Sequence, residues 1–130
     1  MMDLNFQVAD WKTEKHVPVI DSADVVKKGE AFKITVTVGK EIPHPNTTEH
    51  HISCIGVYFI GDGEKFPSQV GRFEFSAHGE STQGPNLGLV YTNPEATLNL
   101  RIDKTGTIFA ISYCNIHGLW KSAKEIRVEG

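Results

Sequence analysis

The sequence predicts an all-β chain, folded as an antiparallel sandwich of about seven strands. Three observations predict it. Apolar residues recur with period two, as on a pleated strand with one buried face. Turn-forming pairs and triplets rich in Gly, Pro, Asn and Asp divide the chain at short intervals. No window shows the period of a long amphipathic helix.

The elements follow in order. Residues 22–28 are expected to form one or two helical turns at most, closed by Lys28-Gly29. Phe32, Ile34, Val36 and Val38 alternate with Lys33, Thr35 and Thr37, which makes a first strand ending at Gly39-Lys40. Residues 52–60 are apolar on both faces, as in the centre of a sandwich, and stop at Gly61-Asp62-Gly63. Phe73 and Phe75 flank Glu74 in a third strand. His78-Gly79 and Gly84-Pro85-Asn86 mark surface loops, and residues 87–91 read as a short strand before Asn93-Pro94. Leu98, Leu100 and Ile102 alternate with Asn99, Arg101 and Asp103 up to Lys104-Thr105-Gly106. Residues 108–113 form a second central strand, and residues 126–128 a short last one.

The 130 residues suit one domain over the whole of 1–130, with no room for two ordinary ones. Apolar residues make up 39% and charged residues 22%, enough to bury a core. The net charge of −3 argues against a nucleic-acid partner, which would favour a basic surface. No apolar stretch approaches the roughly 18–20 residues that span a bilayer, so no membrane partner is expected. The start MMDLNFQVAD lacks a basic segment followed by an apolar one, so a cytoplasmic location is expected.

Two cysteines and six histidines carry the remaining information. Cys54 and Cys114 mimic the spacing of an immunoglobulin disulfide. That pattern places a Trp between the cysteines and a Tyr two residues before the second. The tryptophans here are Trp11 and Trp120, and position 112 is Ser. Cys54 lies in an apolar strand and reads as an inert core thiol. Cys114 and His117 end a strand and are close enough to share one ion. His16, His44 and His50 fall in other loops or strand ends. Imidazoles with a thiolate favour iron, copper or zinc over magnesium or calcium. His50 and His51 should point to opposite faces, so at most one is expected to reach a shared ion and the other to face solvent. His78 has no neighbouring ligand type and reads as a surface or hydrogen-bonded core histidine. A Cys-His hydrolase stays open at this point, although no oxyanion-hole motif accompanies the pair.

Three motifs go further. Glu14-Lys15-His16-Val17-Pro18, then His44-Pro45-Asn46 with His50, then Cys114-Asn115-Ile116-His117-Gly118 closely resemble the superoxide reductase family in its one-iron form, neelaredoxin. The resemblance runs from about Glu14 to the C-terminus, with the motifs in order. It implies an immunoglobulin-like β-sandwich holding one non-haem iron per chain. It implies four equatorial nitrogens from His16, His44, His50 and His117, and an axial thiolate from Cys114. It implies that Glu14 can take the sixth position of the resting ferric site and that Lys15 stands over the open one. It further implies superoxide as substrate, rubredoxin or a similar small protein as electron donor, and a homotetramer. The two-iron relatives add a four-cysteine centre, for which two cysteines are too few.

Two rivals accompany that reading. A cupredoxin-like electron-transfer protein also joins a β-sandwich to a late Cys-x-x-His loop. It usually adds a Met soon after that His. Gly118-Leu119-Trp120 follows here, and the methionines are Met1 and Met2. A structural zinc in an adhesion-like sandwich would need four ligands, and five candidates are in place.

Overall fold

In the computed structural model, residues 4–130 are described. The Met1-Met2 start, and with it the first part of the expected 1–130 domain, lies outside the described residues. Eight strands follow one another: β1 (Pro18–Asp21), β2 (Val25–Lys27), β3 (Phe32–Val38), β4 (Ile52–Gly61), β5 (Ser68–Glu74), β6 (Glu95–Leu100), β7 (Gly106–Cys114) and β8 (Gly118–Glu129). They form two layers. One sheet has the order β1-β3-β6, the other β2-β8-β7-β4-β5. The all-β sandwich is as predicted, with eight strands in place of seven. Among the described residues no helix is long and apolar enough to cross a membrane.

Period-two burial holds the layers together. Ile34, Val36 and Val38 of β3 face Ile55 and Val57 of β4, Ile108 and Ala110 of β7, and Ile126 of β8 in one core. Burying each such side chain contributes roughly 1.5–3 kcal/mol. The outward face of β3 is polar, and Thr35 and Thr97 share a hydrogen bond of 3.0 Å across the β3–β6 pair.

Three expectations need correction. Residues 22–28 do not turn helically. Val25–Lys27 is extended and pairs parallel with Arg127–Glu129, the one parallel pair between named strands among the described residues. The β-branched Val25 and Val26 favour that state, and Val26 fills the core edge. Residues 87–91 are a loop with one isolated β-bridge, Tyr91 to His78, and backbone hydrogen bonds linking Gly88 and Val90 to Gly79. Leu87, Leu89 and Val90 are exposed, so their apolar run is not a buried face. Gly88 also lies so close to the backbone of Glu80 that a Cβ there would clash. Third, Cys54 is half-buried on the outer face, away from the core. The β4–β7 register shifts between Ile52 and Cys54. That bulge changes the phase, so that Ile52 and Ile55 both point inward and Cys54 does not.

Candidate metal centre

Four chain segments meet at one end of the sandwich. His16 lies just before β1. His44 and His50 lie in the β3–β4 connection. Cys114 is the last residue of β7, and His117 sits in the tight turn before β8. That turn closes on Gly118, whose φ of 81° suits glycine. Along β7 the residues Ile108, Ala110, Ser112 and Cys114 alternate inward, so the strand's own pleat aims the Cys114 sulfur into the interior.

The four rings form a cycle. Centroid separations are 4.8 Å for His16–His44, 4.8 Å for His44–His50, 5.0 Å for His50–His117 and 4.7 Å for His117–His16. The His16–His50 diagonal is 6.3 Å. One ligand atom each from His16, His50, Cys114 and His117 falls within 4.8 Å of all the others. His16 Nε2 is 3.1 Å from His117 Nδ1, which is 3.8 Å from Cys114 Sγ. The His117 backbone N–H donates to the same sulfur at 3.3 Å.

The outer nitrogens of two rings are taken. His16 Nδ1 is 2.8 Å from Glu14 Oε2, and His44 Nδ1 is 2.6 Å from the carbonyl of Pro45. Donation there leaves Nε2 of each ring as a bare lone pair. His44 Nε2 and His50 Nε2 are buried and have no hydrogen-bond partner. Buried acceptors converging without donors are costly, and a bound cation removes that cost. The donor set therefore fits one transition metal, with nitrogen from four imidazoles and sulfur from one thiolate.

The electrostatics agree. Burial, with the neighbouring His16, His50 and Lys15 charges, pushes His44 down to about 4. Burial also lowers His50, helped by His117, His16 and Lys15. Neutral imidazole is the ligating form, so these shifts keep the site ready to bind metal. Burial raises the Glu14 carboxyl, but its bonds to the His16 side chain and backbone outweigh that and leave it below its usual value. Glu14 thus faces His16 here and lies outside the four-residue cluster. Lys15 is half-buried between them, and its charge acts on both His44 and His50.

His51 departs from expectation. It is half-buried and stacks flat on His78, with centroids 3.5 Å apart and planes 3° apart. His78 is buried and hydrogen-bonded at both nitrogens, to Asn46 Oδ1 at 3.0 Å and the Phe75 carbonyl at 2.6 Å. It is the hydrogen-bonded core histidine of the sequence reading.

A second loop, missed in the sequence, clasps the segment bearing His44 and His50. Asn46 Nδ2 donates to the Thr92 carbonyl at 3.0 Å. Thr48 N–H donates to Asn86 Oδ1 at 2.7 Å, and Asn86 Nδ2 donates to the Glu49 carboxylate. Asn86 holds a φ of 65°, in the left-handed region that Asn tolerates. The signal was present in Gly84-Pro85-Asn86, but a turn triplet does not say which segment it will grip.

Comparisons with known proteins agree with this geometry. Residues 8–123 match the desulfoferrodoxin family. The chain is 56% identical to a neelaredoxin from Megalodesulfovibrio gigas, over 95% of both chains. It is 56% identical to a superoxide reductase from Pyrococcus furiosus, over 94% of this chain and 96% of that one. Among solved structures, the reduced form of superoxide reductase (neelaredoxin) from Archaeoglobus fulgidus superposes with a TM-score of 0.87 at 53% identity, covering 94% of this chain and 98% of that one. With its motifs, its ring cycle and its sandwich in agreement, the chain belongs to the desulfoferrodoxin family.

Proposed function

We propose that the chain is a superoxide reductase, with one iron held by His16, His44, His50, His117 and Cys114. One superoxide, one external electron and two protons give one hydrogen peroxide. The observation that carries the reading is the cycle of four imidazoles, three of which share a cluster with the Cys114 sulfur, with partnerless nitrogens on His44 and His50. When bound, iron supplies the electron to superoxide and regains one from a donor.

The chain's residues set the conditions. Four neutral imidazoles add no charge and the Cys114 thiolate adds −1, so either iron state leaves the site net positive toward an anion. The His117 N–H bond to Sγ moderates the thiolate's electron donation. Glu14 fixes His16 as the Nδ1–H tautomer. It would also be the carboxylate nearest at hand to bind an iron held there. Lys15 offers an ammonium, next to a ligand, that draws in the anion and holds water at Nζ for proton delivery.

A rubredoxin-like donor and a homotetramer complete the proposal. Cys54 and Cys114 are free thiols, which suits a reducing compartment such as the cytoplasm. The blue-copper reading is not favoured, because it leaves two of the four rings unexplained.

The test is metal analysis and electron paramagnetic resonance on the purified protein, then stopped-flow mixing of its reduced form with superoxide. Expected are one iron per chain and one external electron consumed per superoxide. Sustained oxygen release from superoxide without a donor would assign a dismutase instead.

A further inference from the structure

His16 is the ligand with the least support from its own strand. It lies two residues before β1, whose ladder with β3 begins only at Pro18. Both of its backbone polar groups are met by side chains. Its N–H donates to Glu14 Oε1, and its carbonyl accepts from Ser112 Oγ at 2.8 Å. Ser112 is fully buried, and this is where its hydroxyl goes. The His16 ring is covered by the indole of Trp120, with centroids 4.8 Å apart and planes 12° apart. That is an offset stack between near-parallel rings. Trp120 Nε1–H also donates to the His117 carbonyl at 3.2 Å.

Ser112 and Trp120 are direct partners in the β7–β8 register. Facing residues of an antiparallel pair project to the same side. One cross-strand pair therefore grips His16 twice, by backbone and by ring, and braces the turn that carries His117 and begins at Cys114. Resting on the metal reading above, we propose that the Ser112–Trp120 pair is the positioning unit for His16 and His117, and that it sets how tightly iron is held and at what potential. The Ser112 hydroxyl and the Trp120 indole N–H both donate to backbone carbonyls of the histidines, and both act through them. The sequence hides the unit because positions 112 and 120 meet only through the hairpin register.

The test uses iron-loaded wild type, Trp120→Leu, Trp120→Phe and Ser112→Ala. It measures iron release to excess chelator, the reduction potential and the visible absorption of the ferric centre. Partners that orient metal ligands typically change metal affinity by about 10–100-fold when removed. Trp120→Leu and Ser112→Ala should release iron at least ~10-fold faster and shift both potential and absorption. Trp120→Phe keeps an aromatic ring over His16 but loses the N–H and part of the indole's area, so it should lie between wild type and Trp120→Leu. An indole that merely fills space would lower thermal stability in Trp120→Leu and leave potential and absorption unchanged. That result overturns the proposal, as does equal behaviour of the Phe and Leu variants. If Trp120→Leu does not fold, Ser112→Ala decides by the same criteria. A wild-type chain that takes up no iron would overturn the metal reading itself, and the positioning role with it.

Discussion

Cys114 concentrates the chemistry of the site in one atom. Its sulfur is fully buried, accepts the His117 N–H, and is the one sulfur in the cluster. Serine in its place keeps the volume but does not ionise near neutral pH. Cys114→Ser is therefore expected to abolish peroxide-forming turnover while the sandwich stays folded, as circular dichroism alongside stopped-flow assays will show. His44 gives a pH prediction for the iron-free chain. Its pKa falls from an ordinary 6.5 to about 4 on folding, chiefly through burial. Below 6.5 the unfolded chain binds a proton there that the folded chain refuses, so stability falls as pH drops from about 6.5 toward about 4. A shift of that size corresponds to a loss on the order of 3 kcal/mol. The iron-free protein should melt at progressively lower temperature across that window, and His44→Phe should flatten the slope. An unchanged slope in His44→Phe would place the titration elsewhere. The residues that gather at the site were legible in the sequence because each lies within a short motif. The state of Glu14, folded back onto His16, was not, since it depends on side-chain geometry within a bend.

Among the elements, the loops did more than the strands to build the site, and they were harder to read. β3, β4 and β7 announced themselves by alternation or by continuous apolar runs, because each lies in the middle of a layer. The N-terminal two-thirds of β8 did not. Trp120, Lys121, Ser122 and Lys124 mix polar and apolar residues irregularly, and the strand is set by pairing with β7 over Gly118–Ile126. β1 and β2 are too short to show a period. Residues 87–91 have the composition of a strand but form the loop between Asn86 and Thr92, whose two ends clasp the segment bearing His44 and His50. Asn86 is its key contact, through Thr48 and Glu49. Asn86→Gly keeps the left-handed backbone and removes both side-chain bonds. At roughly 1 kcal/mol net per bond, the variant should lose about 1–2 kcal/mol of stability in denaturant unfolding. Asn86→Ala should lose more, because alanine is strained at a φ of 65°. Both variants should also release iron faster than wild type. If Ala and Gly prove equal, backbone conformation at this position is not what the asparagine provides.

At the scale of the whole molecule, the charge works against the substrate. The chain carries −3, and superoxide carries −1, so the global field is mildly repulsive. Fast capture then depends on a local positive region, made by the metal centre and Lys15. Lys15 is placed for this, since its charge is felt at both His44 and His50. Exposed charges are screened beyond roughly 8–10 Å at about 0.1–0.15 M salt. The reaction of the reduced wild-type protein should therefore slow as ionic strength rises. Lys15→Met keeps much of the stem and removes the charge. Steering is worth about 10–1000-fold in association rate, and one lysine should account for the lower end. The variant is expected to react about 10-fold more slowly, with a flatter salt dependence. Iron content and product should stay the same, because an ammonium has no lone pair with which to bind a metal. Stopped-flow decay of the ferrous form across a salt series, run on both proteins, decides it. Equal rates and equal salt slopes would make Lys15 an ordinary surface lysine and leave the metal centre alone to attract the anion.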